Sequence, residues 1–186
     1  LECGNAEYRS KMLQRPVSNE KTIQACAEFE FSSIELSVNN IIGYPEENRE
    51  LIFETIELNR QVKKFVEAHS CSIFQPYKGT WLYEYCVKKG YWHRESIAND
   101  LNFDPAITYP EITHEELKGL HRTFPFYIKF PKEDWGLVKL AERFDPEGEG
   151  AYKACHSIYY DKYFNSDKTH PRFLSSQTKF SGEPAR

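Results

Sequence analysis

The sequence predicts an α/β fold, a slice of a larger parallel sheet or barrel followed by an α-helical C-terminal extension. Two short runs, Glu35 to Gly43 and His69 to Gln75, are each stopped by a turn rich in glycine and proline. Each is followed by a segment with helical apolar spacing, and strand–turn–helix units of this length imply parallel strands joined by right-handed crossovers. Past Gly90 the strand signals cease and helix signals remain.

In chain order, Ser18 to Phe31 carries apolar or small residues at Ile23, Cys26, Ala27, Phe29 and Phe31, with Ser18 or Asn19 as N-cap, and reads as a helix. The β-branched run Glu35 to Gly43 ends at Gly43-Tyr44-Pro45 and suits a buried strand. Arg49 to Val66 is a strong helix, its apolar face marked by Ile52, Ile56, Leu58, Val62, Phe65 and Val66; Glu46 and Glu47 bring negative charge to its positive N-terminal end. The second strand, His69 to Gln75, stops at Pro76-Tyr77-Lys78-Gly79, and a helix follows from about Thr80 to Lys89. Tyr91 to Pro110 is an irregular connector, broken by Asn99-Asp100, Asp104-Pro105 and Tyr109-Pro110.

Thr113-His114-Glu115-Glu116 has the form of a capping box, with Glu116 reaching back, and starts a helix running toward Phe124. Pro125 and Pro131 punctuate the next stretch of chain, and Pro131 suits the first turn of a helix through Trp135, Val138, Leu140 and Ala141. A last helix spans about Gly150 to Phe164, and beyond Asn165 a frayed tail is expected. The organisation is therefore an α/β part over 1–90, a connector over 91–112, a helical extension over 113–164 and a tail over 165–186.

With 24 basic against 28 acidic residues and a net charge of -4, no Lys/Arg cluster resembles a nucleic-acid footprint. No apolar run approaches the ~18 residues of a membrane span. The five cysteines are odd in number, scattered and without a signal peptide, which argues for a reducing cytoplasm over a disulfide scaffold. None of them forms CxxC or CxxxCxxC. A single methionine, Met12, and a start at Leu1 lead to the expectation of a fragment.

The loops after the strands' C-terminal ends, Gly43 to Glu47 and Gln75 to Gly79, are where a site is expected in such sheets. Gly43 and Pro45 suit an ordinary rigid turn, or a platform where glycine admits a flat ligand and backbone groups near Ile41 and Ile42 meet a purine edge. Gln75 and Tyr77 are either turn residues or ligand contacts at the mouth. His114 and His121 lie seven apart on one helix face, but no HExxH spacing occurs and no metal ligands are assigned. The aromatics from Arg122 to Tyr127 read as helix packing or as a binding surface. The cysteines read as small buried hydrophobes. No catalytic residue is singled out.

Taken together, these segments resemble the radical S-adenosylmethionine (radical SAM) superfamily, in the branch that carries an N-terminal cobalamin-binding domain. Leu1-Glu2-Cys3-Gly4-Asn5 followed by Arg15 is similar to the family's ESG(N/S) segment after the fourth barrel strand. Ser37 to Glu47 resembles the fifth-strand motif GxIxGxxE, with Arg49 to Phe53 and Thr55 fitting the helix behind it. Phe74-Gln75-Pro76-Tyr77-Lys78-Gly79-Thr80 resembles the sixth-strand segment PYPGTxL, and Gly119 to Phe124 through Phe130-Pro131-Lys132 and Trp135 resembles a helical extension of some members.

The resemblance implies a partial (β/α) barrel and the cofactors S-adenosylmethionine and a 4Fe-4S cluster, with cobalamin possible. In the family the reduced cluster cleaves the sulfonium to a 5′-deoxyadenosyl radical that abstracts hydrogen from a small-molecule substrate. It implies cofactor-binding positions at Glu2 and Asn5, near the ribose or methionyl end, at Asn39, Ile41 and Gly43 beside the adenine, and at Gln75 and Pro76 on the far side. This chain departs from the pattern at Cys3, Asn39, Asn48 and Trp81, and the cluster cysteines and glycine-rich amino-group motif are not in it. A missing N-terminal half of the barrel, or a partner, is expected to cover the open sheet edge. The alternative is a non-catalytic interaction module whose aromatic helical region, Thr113 to Phe164, docks a partner.

Overall fold

The computed structural model of the chain describes residues 1–66, 68–98 and 104–164. It is a mixed α/β structure around a small parallel sheet of two strands. Among the described residues the elements are α1 (Ala6–Met12), α2 (Asn19–Ala27), β1 (Ser37–Ile42), α3 (Arg49–Val62), β2 (Ala68–Ile73), α4 (Trp81–Lys89), α5 (His114–Lys129), a 3-10 turn (Lys132–Asp134), α6 (Trp135–Leu140), α7 (Pro146–Tyr159) and a π turn (Tyr160–Phe164). Strands β1 and β2 pair in parallel with Asn40 opposite Cys71 and Ile42 opposite Ile73, and α3 makes the crossover between them.

The faces of β1 alternate as period-2 geometry requires. Val38, Asn40 and Ile42 are buried against α3, while Ser37 and Asn39 are exposed and Ile41 is half-buried. The main core joins Ile42, Ile52 and Ile56 to Leu117, Leu120, Phe124 and Ile128 of α5 and to Val138 and Cys155 beyond. The helices after Gly90 therefore share one core with the sheet. A smaller cluster of Cys26, Val38, Val62, Phe65 and Val66 lies beneath α2.

The sheet rests on α3 through a buried polar pair. Asn40 Nδ2 donates to Asn59 Oδ1 at 3.2 Å, and Asn59 Nδ2 donates back to Asn40 Oδ1 at 2.7 Å. His69 Nδ1 reaches the same Asn59 oxygen at 2.8 Å; because that oxygen only accepts, the ring carries its proton on Nδ1, and burial lowers its pKa to about 3. One turn earlier, Thr55 Oγ1 accepts from the Gly4 N–H at 2.8 Å. Gly4 presses so close to α3 that a Cβ would stand 2.1 Å from the Glu54 carbonyl. The edge of β1 turned away from β2 receives the Leu1 amino group at the Asn39 carbonyl, 2.8 Å away. Helix α5 covers the outer edge of β2, where His121 Nε2 donates to the Cys71 carbonyl at 3.0 Å.

Several elements differ from the sequence expectation. Helix α1 lacks periodicity long enough to announce it; Asn5 caps it, accepting from the Tyr8 N–H at 2.8 Å. Helices α2 and α3 stop at Ala27 and Val62, short of Phe31 and Val66. Pro125 does not end a helix: α5 runs through it to Lys129, because Thr123, Phe124, Phe126, Tyr127 and Ile128 are buried around it and their burial outweighs a proline cost of about 3 kcal/mol. Thr113 caps α5 as expected, accepting from the Glu116 N–H at 3.1 Å, but the Glu116 carboxylate pairs with Arg49 at 3.2 Å. Helix α7 begins before Gly150, with Asp145 as cap and Pro146 in the first turn. The breaker Asn99-Asp100 and the tail over 165–186 lie outside the described residues.

The Gly4 approach yields a stability prediction. Gly4→Ala is expected to lower the unfolding free energy by about 1–3 kcal/mol through overpacking against backbone. Gly136→Ala, exposed in α6 with nothing within 4 Å of the added methyl, raises it by up to about 1 kcal/mol. Urea midpoints read both, and an unchanged midpoint for Gly4→Ala contradicts the close packing.

Candidate functional site at the strand ends

The loop that follows β1, Gly43 to Asn48, is held from several sides. Gly43 adopts φ 81°, and a Cβ there would meet Leu117 Cδ2 at 2.5 Å, so its bare Cα faces α5 rather than open space. Glu46 sits at φ 63°, a left-handed conformation that costs a non-glycine residue on the order of 1 kcal/mol. Its carboxylate accepts from Tyr85 Oη at 2.6 Å and Lys89 Nζ at 2.8 Å, with Tyr91 Oη at 3.5 Å. These donors, Lys89 first, hold the Glu46 carboxyl below its ordinary range. From the other side Tyr8 of α1 donates its hydroxyl to the Pro45 carbonyl at 2.7 Å.

Glu47 does not lend charge to the start of α3, which Asn48 caps by accepting from the Leu51 N–H at 2.9 Å. The Glu47 side chain instead turns inward and is fully buried. Its Oε2 accepts from the Gly43 N–H at 2.6 Å and the Tyr44 N–H at 3.3 Å, bracing the turn, while Oε1 has no hydrogen-bond partner among the described residues. Burial pushes its pKa up to about 8, partly offset by those two N–H donors. Burial first, and the Glu47 charge after it, raise Cys3, to about 11, together with Tyr8, Cys71 and Tyr109. The groups around Glu47 are thus neutral thiols and phenols, and the acid holds its proton at neutral pH.

Of the positions implied by the family resemblance, Ile41, Gly43, Gln75 and Pro76 lie at the strands' C-terminal ends. Gln75 is buried; its Nε2 donates to the Asp104 carbonyl at 3.4 Å, and among the described residues its Oε1 and the buried Tyr109 hydroxyl have no hydrogen-bond partner. Asn39 lies on the open sheet face, accepting from Ser70 Oγ at 2.6 Å. Phe74 N–H bonds to the Ile42 carbonyl at 2.9 Å, so Ile42 spends its peptide groups on β2 and those of Ile41 point to the opposite edge.

Glu2, paired with Arg15, lines a cavity of about 530 Å³ with Asn39, Arg9 and Lys21, on the far side of β1 from Gln75. Arg9, although nearly buried, spends its guanidinium on the Cys3 and Val17 carbonyls. Asn5 is committed twice, capping α1 and donating to both Glu54 carboxylate oxygens at 3.1 and 2.9 Å. Tyr8 and Tyr109, which lie within electrostatic reach of the buried acid, carry no sequence signal beyond being aromatic. Among the described residues no three His, Cys, Asp or Glu side chains gather as metal ligands. His114 and His121 instead contact carbonyls of Ile107, at 2.9 Å, and Cys71.

A group whose folded pKa is raised adds stability below its unfolded pKa and loses it as pH climbs toward the folded value. Stability is therefore expected to fall between about pH 4.5 and about pH 8 through Glu47. Glu47→Gln, which mimics the protonated acid, flattens that fall; urea midpoints across pH 5–9 read it, and identical slopes for both proteins contradict the assignment. No protein-family model matches the chain, and no curated protein matches it.

Proposed function

We propose that the chain is the C-terminal part of a radical S-adenosylmethionine enzyme, contributing the adenosine-binding side of a (β/α) barrel. The observation that best supports this is the open polar face of β1 and β2, with the peptide groups of Ile41 turned to the edge beside the braced Gly43–Glu47 turn. On this reading the adenine lies along Ile41, while Gly43, Gln75 and Pro76 shape the strand ends beneath it from buried positions, and Asn39 and Glu2 meet the rest of the ligand. Asn5 acts indirectly, by fixing the start of α1.

This chain's contribution is binding and orientation, with water kept out by the packed loops. A 4Fe-4S cluster would supply the electron for cleaving the sulfonium, but the cysteines present do not fit one: Cys3, Cys26, Cys86 and Cys155 are buried singly in packed regions, and no three ligands meet among the described residues. The cluster, and cobalamin where used, would be held by other polypeptide, which would also cover what the N-terminal segment leaves open of the β1 edge beyond Asn39. The substrate is a small molecule rather than nucleic acid or membrane, in a cytoplasmic setting; no helix among the described residues is long and apolar enough to cross a membrane. The second reading, an interaction module, draws on Phe144 and Tyr160 of the helical part, which are 43% and 42% exposed.

Anaerobic reconstitution with iron and sulfide of the complete protein that carries these residues is expected to give iron–sulfur absorbance and SAM cleavage under reduction. The 186-residue chain alone binds SAM feebly in calorimetry. Tight binding by the chain alone, or no cluster in the complete protein, overturns the reading.

A further inference from the structure

The geometry points to the Gly43–Asn48 loop as a two-state, proton-coupled element: closed, it latches Glu46 onto α4 and buries Glu47; open, it releases both side chains to water. Adjacent residues of the loop are held in opposite ways. Glu46 has a left-handed backbone within the Tyr44–Glu47 turn, and its side chain is held outward by bonds to Tyr85, Lys89 and Tyr91. The same φ 63° closes the turn in which the Glu47 N–H donates to the Tyr44 carbonyl at 3.0 Å, so the strain is released only when latch and turn let go together. Glu47, one peptide bond on, is fully enclosed, with one carboxyl oxygen unpartnered among the described residues, a cost that opening removes.

The surroundings set the direction of the proton coupling. Facing Glu47 are Cys3 from the N-terminal segment, Tyr8 from α1, Tyr44 from the loop, Cys71 from β2 and Tyr109 from the connector, none of them a cation. Facing Glu46 are Lys11 of α1, Tyr85 and Lys89 of α4, and Tyr91, itself beside Glu111. The closed loop therefore holds Glu46 as a carboxylate against cations and Glu47 as an acid among neutral groups. Opening lets Glu47 ionise in water and releases its proton, so rising pH favours the open loop until the buried acid itself ionises. The latch on Glu46 opposes opening throughout the neutral range.

Hydrogen exchange of the whole chain, followed by mass spectrometry on peptides covering 43–52 and corrected for intrinsic rates, tests this. Single-proton linkage predicts that the open population of this loop rises about tenfold per pH unit between pH 6 and pH 8. It levels off above about pH 8, while the peptide over 69–75 keeps its protection. Glu47→Gln abolishes the slope, and Tyr85→Phe raises exchange of the loop at every pH without altering it. Protection of 43–52 that is independent of pH, a slope surviving in Glu47→Gln, or a parallel loss over 69–75 signalling global unfolding overturns the proposal.

Discussion

The reciprocal amide pair between Asn40 and Asn59 is the constraint on which the rest of the molecule depends. Both side chains are essentially unexposed, and each would cost a few kcal/mol if buried without its partner. Asn40 also donates to the Ser70 carbonyl at 2.9 Å and Asn59 to the Thr55 carbonyl at 2.8 Å, so one network ties β1, β2 and α3 together. Apolar packing alone tolerates small rotations of a helix beneath a sheet; directional bonds do not. With the rotation of α3 fixed, Thr55 faces Gly4, the N-terminal segment is drawn along the free edge of β1, and the first turn of α3 stands where the β1 loop must meet it.

At that loop the same economy of buried polar groups is carried further. Glu47 braces the turn with one oxygen and, among the described residues, leaves the other without a partner, whereas Glu46 beside it is engaged by α4. Two chemically identical side chains, adjacent in sequence, thus have opposite electrostatic surroundings. Left-handed backbone at Glu46 is what directs one outward and the other inward. The strand ends thus combine a buried acid with a left-handed non-glycine residue, at the place where function on such a sheet is ordinarily built.

Much of the fold was legible in the sequence. Local pattern gave both strands and the helices α3, α4 and α5; of the two caps offered for α2 Ser18 is the one used, and Thr113 caps α5 as its side-chain chemistry predicts. Illegible parts have specific causes. Pro125 reads as a breaker until the burial on both sides of it is known, and α1 is too short for a pattern, being held by Asn5, Tyr8 and Arg9 through contacts distant in sequence. At the site, the positions of Ile41, Gly43, Gln75 and Pro76 at the strand ends followed from their segments. The commitment of Asn5 to Glu54, and the full burial of Glu47, did not.

By itself the sequence determined the alternation of strand and helix, the turns at Gly43 and Pro76, the helical character after Gly90 and the placing of polar loops at the strand ends. These depend on short-range periodicity and on backbone preferences carried by each residue. Only the tertiary structure decided that the C-terminal helices share one core with the sheet, that α5 covers the outer edge of β2, and that Glu47 rather than Glu46 is the buried acid. A carboxyl group's environment is the sum of what other segments bring to it, and two neighbouring glutamates cannot be told apart until those segments have met.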